Sequence, residues 1–407
     1  MAAHFRVVAV HPNVELYGSD RMFHSAVLGL ARRAEVLVRL PQEGPLADLL
    51  RDDGVQVEVS AFPVLRRVEL TPRRVPGHAS HTAIAAFRLA HWLRSVRADV
   101  VYVSTIVSPV VVFAARLARV RVVLHVHEND PAMGRLSHRL LIWPARLCAA
   151  VLVNSRSTGA WVRAGAPRVS ERLTVVPNGV GIIDTGERAG LPEGLNVLLV
   201  GRLSEHKGQD VAVRALALLR DRGLDAHLTL LGDAFPGYEA FRSSLVRLGD
   251  ELGISDRLHL VGFRDPKPYL YAVDVVIVPS RMESFGIAAV EALLAGRPTV
   301  VSRVQGLLEI VEDGITGLTV PAGDATALAE AVERLHHDKE LAQCLASAGQ
   351  ERCRVLFSEE GYRTRVSDLV LEVARRALPR PAHRRAVHSA AGRSPPRVES
   401  DAPGVER

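Results

Sequence analysis

Two stretches in the second half of the chain carry residues whose types and spacing suit chemistry. An apolar run, Val275–Val278, leads into Pro279-Ser280-Arg281-Met282-Glu283-Ser284-Phe285-Gly286-Ile287, and then into a helical pattern that Gly296 ends and Pro298 cannot continue. Ser284 is the residue type of a helix N-cap. With that start, the free N–H groups of Phe285, Gly286 and Ile287 point outward, where the helix dipole favours an anion such as a diphosphate. Glu283 lies just outside the start and Glu291 about two turns on; a continuous helix would hold the two carboxylates about 12 Å apart. That exceeds the about 5–9.5 Å of a glycosidase pair, so each wants its own partner, and sugar and ribose hydroxyls fit. The plainer alternative is a solvated helix glutamate and a cap-side acid. The second stretch, Gly201-Arg202-Leu203-Ser204-Glu205-His206-Lys207-Gly208, follows the apolar strand Val197–Val200 and precedes a helix opening at Gln209. Two glycines and the cations Arg202 and Lys207 in one strand-to-helix turn can neutralise a phosphate pair without a metal; a solvated basic turn is the alternative.

Positioning these groups requires parallel sheets. Short β-branched runs alternate with longer helical patterns, which is the signature of strands joined by crossover helices. Strands are expected at Arg6–Val10, Glu35–Arg39, Gln56–Val59, Val100–Val103, Val120–Val126 and Val151–Asn154, and the pattern then begins again. The second set is Val197–Val200, His227–Leu231, Leu258–Val261, Val275–Val278, Thr299–Ser302 and Gly317–Val320, with helices such as Gln209–Arg222 and Tyr238–Leu252 between. The fold class is therefore α/β, two Rossmann-like doubly wound sheets joined end to end after the turn Pro177-Asn178-Gly179. Ligands bind such sheets at the carboxyl ends of the strands, so the cleft between the lobes is the default site.

The two stretches, in this order, resemble the retaining nucleotide-sugar glycosyltransferases of the GT4 family, glycosyl transferases group 1, which have the GT-B fold. The resemblance runs from Val7 to about Leu378, and the Glu-x7-Glu block of Glu283 and Glu291 is its most specific part. It implies that Arg202 and Lys207 bind the donor diphosphate, Glu283 touches the transferred sugar and Glu291 hydrogen-bonds the ribose. Ser284, Phe285, Gly286 and Ile287 would lie along sugar and phosphate, and Phe263 and Arg264 beside the base. In the first lobe, Gly18 stands with Ser19 where the family commonly has two glycines. His125-Val126-His127-Glu128 resembles its His-acid element, with His127 the favoured site residue; the alternative is one structural and one exposed histidine. The acid that usually follows Val176-Pro177-Asn178-Gly179-Val180 is replaced here by Gly181. The implied layout is a first lobe at 1–180, a donor lobe at 181–359, a helix at 360–378 crossing back to the first lobe, and a disordered tail at 379–407.

Composition narrows the field further. Among 407 residues, 48% are apolar and 24% charged, as in a globular protein, and the length asks for two domains. The net charge of +6 is spread along the chain without interleaved aromatics, which favours anionic ligands or an acidic membrane surface over nucleic acid. Cys148, Cys344 and Cys353 form no disulfide or zinc pattern, the start reads as no signal peptide, and Val100–Ala115 is too interrupted to span a membrane. A cytoplasmic protein is expected, with peripheral contact at the inner membrane face. No Asp-x-Asp, His-Glu-x-x-His, Gly-x-Ser-x-Gly or Walker loop occurs, so neither a metal nor a cofactor is expected. The nucleotide sugar is a co-substrate. A glycan or lipid-linked acceptor is expected on a basic surface offered by Arg66, Arg67, Arg73, Arg74 and the segment Met133–Arg139. Rivals are an epimerase or phosphorylase on the same architecture, or a non-catalytic nucleotide-sugar binder.

Overall fold

The computed structural model describes residues 5–65, 75–181, 186–234 and 239–376. The first lobe runs β1 (Arg6–Val10), α1 (Gly18–Ala31), β2 (Glu35–Leu40), α2 (Pro45–Asp52), β3 (Gln56–Val59), α3 (Val75–Ser95), β4 (Val100–Ser104), α4 (Pro109–Ala118), β5 (Arg121–Val126), α5 (Arg135–Ile142), β6 (Ala150–Val153), α6 (Arg156–Gly165) and β7 (Leu173–Val175). The second runs β8 (Leu195–Val200), α7 (Gln209–Asp221), β9 (Ala226–Leu231), α8 (Glu239–Glu251), β10 (Leu258–Gly262), α9 (Lys267–Leu270), β11 (Val275–Val278), α10 (Ile287–Leu294), β12 (Thr299–Ser302), α11 (Leu307–Ile310), β13 (Leu318–Val320), α12 (Ala325–His337) and α13 (Lys339–Leu356), followed by α14 (Glu359–Arg375).

The strands pair in parallel, in the orders β3-β2-β1-β4-β5-β6-β7 and β10-β9-β8-β11-β12-β13. Central strands such as β1, β4 and β11 are buried on both faces, which is why they are unbroken Val-rich runs rather than alternating ones. The strand β7 was not anticipated: three residues at a sheet edge, none of them buried, carry no run long enough to read. Strand order reverses between β1 and β4 and between β8 and β11, which opens a crevice at each switch point.

The chain passes between the lobes twice, side by side. Val180 N donates to Phe357 O (2.8 Å) where the outgoing chain meets the returning one. Close approach fixes the glycines there: a Cβ at Gly179 would lie 2.4 Å from Tyr362 Cβ, and one at Gly181 2.5 Å from Glu359 Oε2. Glu359 thus fills the space that an acid at position 181 would need. The helix α14 then packs on α1, β4 and β5 of the first lobe. Its wholly buried Tyr362 donates to Met22 O (3.1 Å) and sits in one core with Phe23, Val366 and Val370. Arg66, Arg67, Arg73, Arg74 and the tail beyond Leu378 lie outside the described residues.

Candidate functional site

The switch point of the second sheet holds the two stretches singled out from the sequence, because β8 and β11 are neighbours and each is followed by one of the two turns. The first turn is set by Gly208, in left-handed backbone (φ +71°) packed so tightly that a Cβ would lie 2.1 Å from Pro279 O. The buried Gln209 braces the same turn from below, donating to Arg202 O (2.9 Å). Arg281 N donates to His206 O (2.7 Å), so the turns after β8 and β11 are knitted together. The result brings Lys207 Nζ to 2.5 Å from Glu283 Oε2, in a pair that still reaches the surface. Gln305 Oε1 accepts from Glu283 N (2.9 Å) and fixes the backbone beside that carboxylate.

The helix start differs from expectation. Gly286, not Ser284, is the N-cap of α10, at φ +115°, because a Cβ there would lie 2.5 Å from Leu307 Cδ2. Glu283 lies outside the helix, as expected, but the stretch from it to Gly286 is not helical, so the separation reckoned for a continuous helix does not apply. Ser284 instead presents its carbonyl to Ser155 Oγ (2.7 Å) of the first lobe. The Phe285 side chain is core, packed edge-on against Phe357 (5.5 Å between centroids), so only its backbone faces the crevice. Glu291 is on α10 with its side chain 5% exposed, and Arg21 Nη1 donates to its Oε1 (2.5 Å). That carboxylate holds the Arg21 guanidinium above its ordinary range.

The edge of the crevice is formed by the turns after β9 and β10, which meet through Gly232 N donating to Gly262 O (2.8 Å). Phe263 is 51% exposed there, and Arg264, also exposed, donates to Val261 O (3.3 Å). A planar base can stack on such a ring.

The first lobe closes over this surface with the segment after β1. Arg202 Nη2 donates to Glu15 Oε2 (2.8 Å), and its Cζ lies 4.0 Å from the centre of the Tyr17 ring. Tyr17 meets Phe263 edge-on (5.1 Å) and donates to Asp233 O (3.3 Å). Gly18 lies against α10; a Cβ would come 2.9 Å from Ile287 Cδ1. Glu309 spans the lobes a second time, accepting from the N–H groups of Arg156 and Ser157 (2.9 Å each) at the start of α6.

At the carboxyl ends of β4 and β5 the two histidines meet, 4.2 Å between centroids. His125 is wholly buried and bonded through Nδ1 to the Tyr102 hydroxyl (2.8 Å), and burial holds it down to about 3. His127, on the same side, is held well below 6.5 by burial and then by His125 and His11, so it is a neutral imidazole at neutral pH. Its buried Nε2 has no hydrogen-bond partner among the described residues. Glu128 accepts from Thr105 Oγ1, Ile106 N (3.3 Å) and His127 N (3.1 Å), while burial pushes its carboxyl up to about 7. Thr105 takes up left-handed backbone (φ +81°), an unfavourable state for a β-branched residue, and its hydroxyl and N–H are both engaged here.

The structure thus brings Arg202, Lys207, Glu283, Glu291 and the start of α10 to one crevice, with Gly18 facing them and Phe263 and Arg264 at its edge. Sequence reasoning missed Glu15, Tyr17 and Arg21 as members of this surface. The spacing of Tyr17 and Arg21, four apart at a helix start, puts them on one side of α1, but their partners lie more than 200 residues away. No group of three His, Cys, Asp or Glu side chains able to hold a metal occurs among the described residues. No helix among them is long and apolar enough to cross a membrane.

Two doubly wound lobes facing across a cleft define the GT-B class, and solved structures of that class superpose on this chain. HepE of Anabaena, in a structure described as a complex with UDP and glucose, matches with a TM-score of 0.75 at 24% identity, over 90% of this chain and 99% of that one. WaaG, a glycosyltransferase involved in lipopolysaccharide biosynthesis, matches at 0.67 and 18%, over 90% and 99%. In sequence, the Glycosyltransferase Family 4 pattern matches residues 18–182 and the Glycosyl transferases group 1 pattern residues 187–352. The chain belongs to this family, the group 1 glycosyltransferases of the GT4 type. Curated relatives include the alpha-D-kanosaminyltransferase of Streptomyces kanamyceticus, 36% identical over 39% of this chain and 41% of that protein. The D-inositol 3-phosphate glycosyltransferase of Saccharomonospora viridis is 37% identical over 46% and 44%. The chain spans less than half the length of these two curated relatives.

Proposed function

We propose that the protein transfers a sugar from a nucleoside-diphosphate donor, UDP- or GDP-linked, to a glycan, lipid-linked or small-molecule acceptor, with retention of anomeric configuration and without a metal ion. The observation that carries this reading is the meeting of Arg202, Lys207, Glu283 and Glu291 around the start of α10. HepE, whose structure is described with UDP and glucose, lends support to a UDP donor. Relatives named for lipopolysaccharide core and inositol phosphate glycosylation support a role in glycoconjugate or cell-surface polysaccharide synthesis.

In the step envisaged, the bond between the anomeric carbon and the β-phosphate oxygen breaks, the acceptor oxygen bonds to that carbon, and the acceptor proton passes to the departing phosphate oxygen. Negative charge grows on the diphosphate as the sugar becomes oxocarbenium-like. Arg202, with its planar fork, Lys207, as a point charge, and the N–H groups at Gly286 and Ile287 meet that charge. Glu283 orients sugar hydroxyls, Glu291 the ribose, and Phe263 with Arg264 the base. The uncharged imidazole of His127, its Nε2 unengaged, hydrogen-bonds the sugar from the first lobe. For the acceptor, the helix α5 offers Arg135 and Arg139 beside the exposed Leu136 and Leu140, a combination suited to a lipid-linked substrate at the inner membrane face.

The test is a thermal-shift panel of UDP, GDP and their sugars on the purified chain, followed by turnover with and without EDTA. A ligand at 100 times its Kd should add about 2.7 kcal/mol to stability. No stabilisation by any nucleotide refutes the donor site, and donor conversion without acceptor marks an epimerase. Activity lost to EDTA and restored by magnesium refutes the metal-free step.

A further inference from the structure

The contacts of Glu15, Tyr17 and Arg21 have a common character. Glu15 gives Arg202 a carboxylate where a phosphate oxygen would serve. Tyr17 lays an aromatic ring against Arg202 and Phe263, and its hydroxyl reaches Asp233 O at the edge turns. Arg21 gives the buried Glu291 a hydrogen-bond donor, Nη1 on Oε1 at 2.5 Å, where a ribose hydroxyl would serve. One seven-residue segment therefore presents an anion, a ring and a donor group to three groups of the second lobe, the proposed partners of phosphate, base and ribose. We infer that the segment Glu15–Arg21 is an internal competitor of the nucleoside diphosphate, so that the lobe contact made here and donor binding exclude one another at Arg202, Phe263 and Glu291. This rests on the donor site proposed above.

The segment is built to act as one piece. Tyr17 N donates to Asp20 Oδ2 (3.0 Å), and Asp20 Oδ1 lies 2.8 Å from His11 Nε2, with both side chains wholly buried. His11 in turn stacks on Phe23 of the first core (4.7 Å). Arg21 is in the first turn of α1. The three groups are thus carried by the first lobe, and releasing Arg202 and Glu291 together requires the lobes to part rather than one loop to flip. The consequence is a set donor affinity: the protein spends part of the nucleotide's binding energy on displacing its own segment, and weakening the segment should tighten nucleotide binding.

The experiment is calorimetric titration of UDP and GDP into the full chain and into Glu15→Gln, Arg21→Gln and Lys207→Ala. Lys207 touches Glu283 and not the segment, so its variant tests the donor site alone. The expected result is roughly threefold to tenfold tighter binding for Glu15→Gln and for Arg21→Gln, with binding weakened in Lys207→Ala. Unchanged or weaker binding in both segment variants, with Lys207→Ala still impaired, overturns the inference and leaves the donor site standing. Unimpaired Lys207→Ala removes the donor site and the inference with it. Amide exchange on the unaltered chain gives a second readout: at saturating nucleotide, exchange across Glu15–Arg21 should accelerate, and slower exchange there would mean that the segment clamps the ligand instead.

Discussion

Replacing Gly208 by alanine should damage stability and nucleotide binding together. At φ +71° the backbone is in the left-handed region, where a Cβ costs about 1–2 kcal/mol. The new Cβ would also lie 2.1 Å from Pro279 O and 2.9 Å from Pro279 C, so the turns after β8 and β11 must separate, at a further cost of about 1–3 kcal/mol. The sum, about 2–5 kcal/mol, corresponds to a fall in Tm of roughly 5–15 °C for a lobe of this size. Because the same movement draws Lys207 away from Glu283, affinity for a nucleoside diphosphate should fall as well. Gly223 provides the control: its φ of +84° is equally left-handed, but no atom lies within 4 Å of a Cβ there. Gly223→Ala should lose only about 1–2 kcal/mol and keep full nucleotide affinity. Differential scanning fluorimetry and titration calorimetry on the two variants decide the matter. Equal effects from both substitutions would refute the argument that close contact between the two turns builds the site.

The two glutamates should separate by role: Glu283→Gln should spare nucleoside diphosphate affinity and lower turnover. Glu291→Gln should weaken nucleotide binding by about 1 kcal/mol, because the lost bond to ribose is partly offset by freeing Arg21; equal losses of affinity in both variants would contradict this division. Stability should depend on pH through opposed groups. Burial holds His125 at about 3 against an ordinary 6.5, so unfolding takes up a proton between these values and acid destabilises the fold. Burial raises Glu128 from 4.5 to about 7, so unfolding releases a proton there and acid stabilises the fold over that interval. Burial also holds His127 well below 6.5, so between 4.5 and 6.5 Glu128 offsets only one of the two histidines and Tm should begin to fall below about 6.5; in Glu128→Gln that fall should be steeper, and an unchanged slope would contradict the assignment.

What could be read from the sequence follows from where each determinant is written. Strands such as β4 and β11 are legible because burial on both faces demands an unbroken apolar run, a local signal that no distant contact supplies. The turn carrying Arg202 and Lys207 is legible for the same reason, since a strand, two glycines and a helix start are all contiguous. The start of α10 is not: Ser284 has the better capping chemistry, but the crowding of Leu307 against position 286 leaves room only for hydrogen, and tertiary packing overrides the local preference. Glu291 was recognised by its place in a motif, yet what makes its burial tolerable is Arg21, 270 residues away in the other lobe. Nothing in one sequence couples two such positions, and the same holds for Glu15 with Arg202, 187 residues apart. The half of the site that lies within one turn or one helix was therefore open to inspection, whereas the half made by closing one lobe on the other exists only once both sheets have formed.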